Sequence, residues 1–175
     1  MNLRPAHAVF VMLIAAGCTQ PPEQPDQRPS MPMAAQGPFH VTGVVDGDTL
    51  TVDDAGASVT VRLLGIDTPE TVDPGQPEQC FGPEAATRAE DLLSDQQVWI
   101  EADPSQDPTD RYGRRLAYVW LPDDELVNLA LIEEGYAREY TYDGPYRYQD
   151  IFRTAQNTAS QAQLGLWSAQ TCGGR

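Results

Sequence analysis

Arg62-Leu63-Leu64-Gly65-Ile66-Asp67-Thr68-Pro69-Glu70-Thr71 completes a run of alternating apolar residues that begins at Val59. Val59, Val61 and Leu63 share one face of an extended segment, because side chains alternate along a strand. The strand ends in the turn Asp67-Thr68-Pro69-Glu70, with one arginine on the strand and two acids beyond it. Upstream, Phe39–Val45 and Thr49–Val52 read as two more strands, and the signals Asp46-Gly47 and Asp53-Asp54-Ala55-Gly56 supply the turns between them. Three strands so closely spaced predict a meander.

Downstream the period changes. Gly82-Pro83-Glu84 places proline in a first helical turn, where its missing N–H costs nothing, and Ala85, Ala86, Ala89, Leu92 and Leu93 recur at helical spacing. Gln97–Glu101 and Arg115–Leu121 read as strands. Asp123 or Asp124 is expected to cap a second helix that runs through Leu126, Val127, Ala130 and Leu131 to a stop at Gly135. A third helix fits Gln149–Gln163, before Leu164-Gly165-Leu166-Trp167. This order predicts a mixed α+β domain. Its five short strands are compatible with a small barrel of the OB type.

The chain has 175 residues, 41% of them hydrophobic, which suits one domain plus an appendage. Residues 1–17 carry Arg4 and an apolar stretch, Ala8–Ala16, too short to span a bilayer. The stretch ends in Ile14-Ala15-Ala16-Gly17-Cys18, which resembles a bacterial lipobox, with Ala15 where leucine is usual. The expectation is a signal peptide over 1–17, a lipid on Cys18, and an exported chain anchored to the cell envelope. Residues 18–37 then form a proline-rich tether, and 38–175 the folded domain. In an oxidising place Cys80 and Cys172 are expected to pair, contributing about 4 to 5 kcal/mol on the chain-entropy model, with free or intermolecular thiols as the alternative.

The formal charge is -15, and all eleven positive residues are arginine. That balance argues against passive binding of nucleic acid by the global field, so any such function must come from a local site. Asp46 and Asp48 flank Gly47, and Asp67 and Glu70 follow the third strand. If the meander is real, these carboxylates converge, and hard oxygen donors of that kind suit calcium or magnesium. Of the two histidines, His7 lies in the leader, and His40 is given a structural role in the first strand. The plain alternative is a hairpin turn at Asp46-Gly47 and a turn with a helix start at Asp67–Glu70. Arg62 and Arg114, the latter within Asp110-Arg111-Tyr112-Gly113-Arg114-Arg115-Leu116-Ala117-Tyr118, favour chemistry. An arginine fork can bind a phosphate and stabilise charge in a five-coordinate transition state.

Val45-Asp46-Gly47-Asp48-Thr49, Arg62–Thr71 and Asp110–Tyr118 resemble, in order and spacing, the three signature motifs of the staphylococcal nuclease (thermonuclease) family. The resemblance runs from about residue 39 to Ser168 and takes in Phe81–Ala85 and Leu166-Trp167-Ser168. It implies a five-stranded OB barrel with three α-helices and a Ca2+ site. Asp48 and Asp67 would bind the metal by carboxylates, Thr68 by its carbonyl, and Asp46 would sit beside the site. Glu70 matches a proposed general base, and Arg62 and Arg114 match the arginines that grip the scissile phosphate. Arg111 and Tyr112 match a phosphate-binding pair, with arginine where lysine is familiar. Tyr140 and Tyr142 match two nucleotide-contacting tyrosines across a one-residue gap.

The implied activity is calcium-dependent hydrolysis of DNA and RNA, favouring single-stranded or flexible regions and leaving 3′-phosphate ends; a monomer is expected. Glu70–Glu78, acidic and without arginine, departs from a family often strongly basic, so long-range steering of a polyanion should be poor. A non-catalytic OB module would lack at least one of Asp48, Arg62, Asp67, Glu70 and Arg114, and all five are present. A purely structural envelope lipoprotein explains the tether but not the arginines.

Overall fold

The computed structural model describes residues 28–71 and 79–174. The leader, Cys18 and the first part of the tether lie outside the described residues. In chain order the elements are β1 (Gln36–Asp46), β2 (Thr49–Asp54), β3 (Ala57–Leu63), β4 (Ile66–Asp67), α1 (Gly82–Leu93), β5 (Gln97–Glu101), β6 (Arg115–Trp120), α2 (Val127–Glu133), β7 (Arg138–Glu139) and α3 (Gln149–Gln161). A 3-10 turn follows at Gly165–Trp167.

Five strands close a barrel in the order β1-β2-β3-β6-β5, and β5 returns antiparallel to β1. The meander β1-β2-β3 is antiparallel, whereas β3 and β6 run parallel. A closed five-stranded barrel with three helices is the mixed α+β, OB-type fold expected. The β2–β3 hairpin turns on Ala55 and Gly56, both at positive φ (51° and 90°), as a two-residue hairpin of this hand requires. In β1 the register slips between Val41 and Gly43 and again between Val44 and Asp46. Such bulges bend a strand and redirect its side chains, and here they carry Asp46 into a buried position.

Alternation fills the interior with Val41, Leu50, Val52, Val61, Leu63, Val98 and Ile100. An aromatic layer of Tyr118, Trp120, Tyr148 and Phe152 seals one side, with Tyr118 and Tyr148 edge to face at 4.6 Å. The buried Glu101 carboxylate accepts the Trp120 indole N–H (2.8 Å) and the Tyr148 hydroxyl, and pairs with Arg147. Asn128 is wholly buried on α2. Its Oδ1 accepts the Val119 N–H (2.9 Å) and its Nδ2 donates to the Leu64 (2.9 Å) and Ala117 (3.4 Å) carbonyls. It therefore ties the helix to β6 and to the end of β3, the strand that leads to the Asp67–Glu70 turn. Asn128→Leu is expected to cost about 2 to 4 kcal/mol, because the buried Val119 N–H and Leu64 carbonyl lose this partner, while Ala117 O keeps the Leu64 N–H (2.8 Å). A lower urea midpoint at an unchanged m-value checks this.

Several boundaries differ from the sequence reading. β1 begins at Gln36, within the stretch assigned to the tether, and Arg28 pairs with Glu133 (2.7 Å) while Met31 packs on the core. Neither Asp123 nor Asp124 caps α2. Both sit in a turn where Leu121 N–H donates to Glu125 O (2.9 Å), closed by the Trp120–Leu126 bridge, and the helix starts only at Val127. Asp124 instead accepts the Met31 N–H (3.3 Å). α3 stops at Gln161, because Gln163 turns to a left-handed φ of 54°. The β4–β7 pair has two residues in each strand, too few to show a period.

Candidate active site

The turn between β1 and β2 is the centre of the site. Asp46 pairs with Thr49, so Gly47 and Asp48 are the two turn residues. Gly47 lies against Thr68: a Cβ there would fall 2.7 Å from Thr68 Oγ1, so only glycine lets the two loops meet this closely. Thr68 N–H donates to Asp48 Oδ2 (3.1 Å), and Leu63 N–H donates to the Asp48 carbonyl (2.8 Å). The end of the first strand and the end of the third thus meet, as the meander requires.

Arg62 joins the two loops. Its Nη1 donates to the carbonyls of Leu63 (2.7 Å) and Ile66 (2.8 Å). Its Nη2 lies 2.9 Å from Asp48 Oδ2 and 3.1 Å from Asp67 Oδ1. The two carboxylates therefore hold a cation between them already. Burial pushes the Asp67 carboxyl above its ordinary range, outweighing the pull of Arg62. Asp46 accepts from Gly47 N–H (2.8 Å) and Thr71 Oγ1–H (2.9 Å), yet burial and then the neighbouring Glu70 push it up to about 6.

Hard carboxylate oxygens, the Thr68 carbonyl on the same loop and an orphaned buried Thr68 Oγ1 form a donor set that fits a calcium-type cation. Among the described residues no three His, Cys, Asp or Glu side chains gather as a metal cluster. The candidate centre is thus two carboxylates and backbone. The carboxylates involved are those that Arg62 bridges, so its fork is open to another anion only when they are otherwise neutralised.

Arg114 approaches the same turn from the other side. It precedes β6, which runs beside β3, and Arg62 and Leu116 are register partners. Arg114 Nη1 lies 3.4 Å from Thr49 Oγ1, and Thr49 is also the cross-strand partner of Arg62. Asp110 fixes Arg114: its Oδ2 takes the Nε–H (2.6 Å) and its Oδ1 takes the backbone N–H of Arg114 and of Tyr112 (both 2.9 Å). Burial opposes ionisation of Asp110, but these hydrogen bonds outweigh it and hold the carboxyl below its ordinary range. Gly113, at φ 81°, closes that turn.

Arg62, Asp67 and Arg114 open on a cleft of about 850 Å³, shared with Arg111, Tyr112, Tyr140 and Tyr142. The Arg111 guanidinium lies 4.7 Å from the Tyr112 ring centre, and the rings of Tyr140 and Tyr142 are 6.4 Å apart. Tyr112, Tyr140 and Tyr142 are exposed. Asp107, Asp110 and Asp143 also line the cleft, leaving its three arginines among acids. Glu70 lies at the edge of the site, half-buried, beside Asp46 and outside the cleft wall.

Four supporting residues have no role in the sequence reading: Thr49, Thr71, Gln79 and Asp110. Only Asp110 had a signal, an acid three residues before Gly113, the pattern of a turn closed by its own side chain. Cys80 and Cys172 are joined in a disulfide.

A family model described as staphylococcal nuclease homologue matches residues 60–169. The chain is 43% identical over 129 residues to a thermonuclease of Staphylococcus intermedius, covering 74% of this chain and 75% of that one. It is 42% identical over 130 residues to the thermonuclease of Staphylococcus hyicus, with the same coverage. Endonuclease YncB of Bacillus subtilis is 39% identical over 125 residues, 71% of this chain and 58% of the relative.

Proposed function

The chain belongs to the staphylococcal nuclease family, and on that premise we propose that it is a calcium-dependent endonuclease hydrolysing DNA and RNA outside the cytoplasm. The observation that carries the reading is the arrival of Arg62 and Arg114 at one turn, Asp48-Thr49, from two strands. Two guanidinium forks and a carboxylate pair on one small surface are what a phosphodiester needs.

Asp48 and Asp67, with the Thr68 carbonyl, would hold Ca2+, and Asp46 keeps the adjoining polar shell in place through Gly47 and Thr71. Calcium bound there supplies positive charge to the phosphate and a site for the attacking water. Arg62 and Arg114 bind the non-bridging phosphate oxygens and meet the charge that grows on them. Glu70 takes or directs the proton of the water. Attack opposite the 5′ oxygen breaks the P–O5′ bond and leaves a 3′-phosphate end. Arg111 and Tyr112 hold a neighbouring phosphate, and Tyr140 and Tyr142 give sequence-tolerant contact to bases, which favours single strands.

We place the enzyme outside the cytoplasm, as a monomer held by a lipid on Cys18. The sequence of residues 1–18 supports this, and so does the Cys80–Cys172 disulfide, which persists where thiols are not kept reduced.

The test is digestion of plasmid and single-stranded DNA by the purified protein in calcium, then in excess chelator, with product ends mapped by a 3′-phosphatase. Cleavage is expected in calcium alone, and products should extend with polymerase only after phosphatase treatment. Equal rates in chelator would remove the calcium reading, and 3′-hydroxyl products would reverse the choice of bond.

A further inference from the structure

Glu70 is held from outside the catalytic turn, and we propose that the Cys80–Cys172 disulfide and Gln79 act together as a positioning device for its carboxylate. The nuclease would then be fully active only where that disulfide is closed. The inference rests on the reading of Glu70 as the group that takes the proton of the water.

Gln79 clasps the Glu70 backbone at both ends. Its N–H donates to Glu70 O (2.9 Å), and its Oε1 accepts Glu70 N–H (3.3 Å). Its own carbonyl accepts Gly82 N–H (3.0 Å). Gly82 also rests against the acid: a Cβ there would lie 3.0 Å from the Glu70 carbonyl oxygen and 2.8 Å from the Thr71 methyl. The Glu70 carboxylate is tied locally by Thr71 N–H (3.2 Å), and Thr71 Oγ1–H reaches Asp46. Where Glu70 sits therefore depends on where the short path Gln79–Gly82 sits.

Cys80 is the middle of that path and is exposed. Its fixed point is Cys172, 92 residues away and only 2% exposed. The tail around Cys172 is pinned: Gly173 N–H donates to Ser168 O (2.8 Å), Gly174 N–H to Leu166 O (2.9 Å), and Leu166 N–H to Gly135 O beyond α2 (2.9 Å). At the helix start Phe81 adopts φ 72° with no side-chain cap. Phe81 itself stacks on Tyr136 at 5.4 Å, and Ala85, Ala89 and Leu93 are buried. Opening the disulfide thus leaves α1 seated and removes the covalent tie from the turn that clasps Glu70.

The chemistry is a two-electron exchange with a dithiol. A thiolate of the dithiol attacks the Cys80 sulfur and the S–S bond breaks. Cys172 leaves as a thiolate and takes a proton. The second thiol of the reductant then displaces Cys80 while closing its own disulfide. In a reducing cytoplasm the enzyme would be attenuated before export.

The test compares kcat and KM on a short single-stranded oligonucleotide at saturating calcium. For Cys80→Ser/Cys172→Ser, and for the parent reduced with dithiothreitol, kcat should fall roughly ten- to a hundredfold, the scale on which misplacing a catalytic group tells. KM should stay within about twofold, since the cleft keeps its arginines and tyrosines. Gln79→Ala, with both cysteines still paired, should show the same split, which keeps the test decisive if the serine variant fails to fold. In a Glu70→Gln background neither change should lower kcat further. A purely structural disulfide would lower the melting temperature and leave kcat at 25 °C intact, and that result overturns the proposal. So does a kcat loss of equal size in the Glu70→Gln background. Glu70→Gln alone at full rate would instead sink the underlying assignment of Glu70.

Discussion

Glu70→Gln is expected to lower kcat on DNA by roughly two to four orders of magnitude, the range over which a positioned proton acceptor contributes. The substitution keeps the shape of the side chain and an oxygen that can still accept the Thr71 N–H. It also keeps the backbone clasp with Gln79, so the loop is not released. What is lost is the ability to take a proton. Glu70 is half-buried and not part of the core, so the melting temperature should move by only a few degrees. A second readout separates two roles. If Glu70 acts on water, the calcium concentration for half-maximal rate stays within about twofold while kcat collapses. If Glu70 were a metal ligand, half-saturation would shift by about tenfold or more. A variant cleaving within threefold of the parent would return the role to another group beside the turn.

Much of the barrel could be read from the chain because its signals are local. Val59, Val61 and Leu63 alternate, Ala55-Gly56 turns, and Pro83 marks a helix start; each is decided within a few residues. The misread boundaries were settled by tertiary contact. Asp123 and Asp124 are good capping residues, but they sit in the turn closed by the Trp120–Leu126 bridge, and the helix starts only after it, at Val127. The site divides in the same way. The motif residues Asp46, Asp48, Arg62, Asp67 and Thr68 meet through two turns whose spacing is visible in sequence. Thr71 and Gln79 serve Asp46 and Glu70 by hydrogen bonds that no pattern announces. The parallel pairing of β3 and β6, which sets Arg114 beside Thr49, is long-range and has no periodic signal.

The acidity of the chain bears directly on the arginines. With a formal charge of -15 there is little attraction for a polyanion at a distance, so affinity must be local and short-ranged. Arg114→Ala should accordingly have a large effect on turnover, lowering kcat by roughly a hundred- to a thousandfold, as expected for a donor aimed at charge that develops in the transition state. The geometry favours turnover over simple binding. Asp110 holds the Nε edge at 2.6 Å and the Tyr112 ring lies 5.4 Å from the guanidinium carbon, so the fork is set before substrate arrives. Its side chain is about a third exposed, so its ion pair adds little stability and the variant should fold normally. Arg114→Lys should recover less than about tenfold, because one ammonium cannot hold Asp110 and present a planar pair of donors to phosphate. Single-turnover rates across substrate concentrations decide the point. If Arg114→Ala keeps kcat and only raises KM, Arg114 binds substrate and transition state alike, and the preorganised fork has no catalytic role.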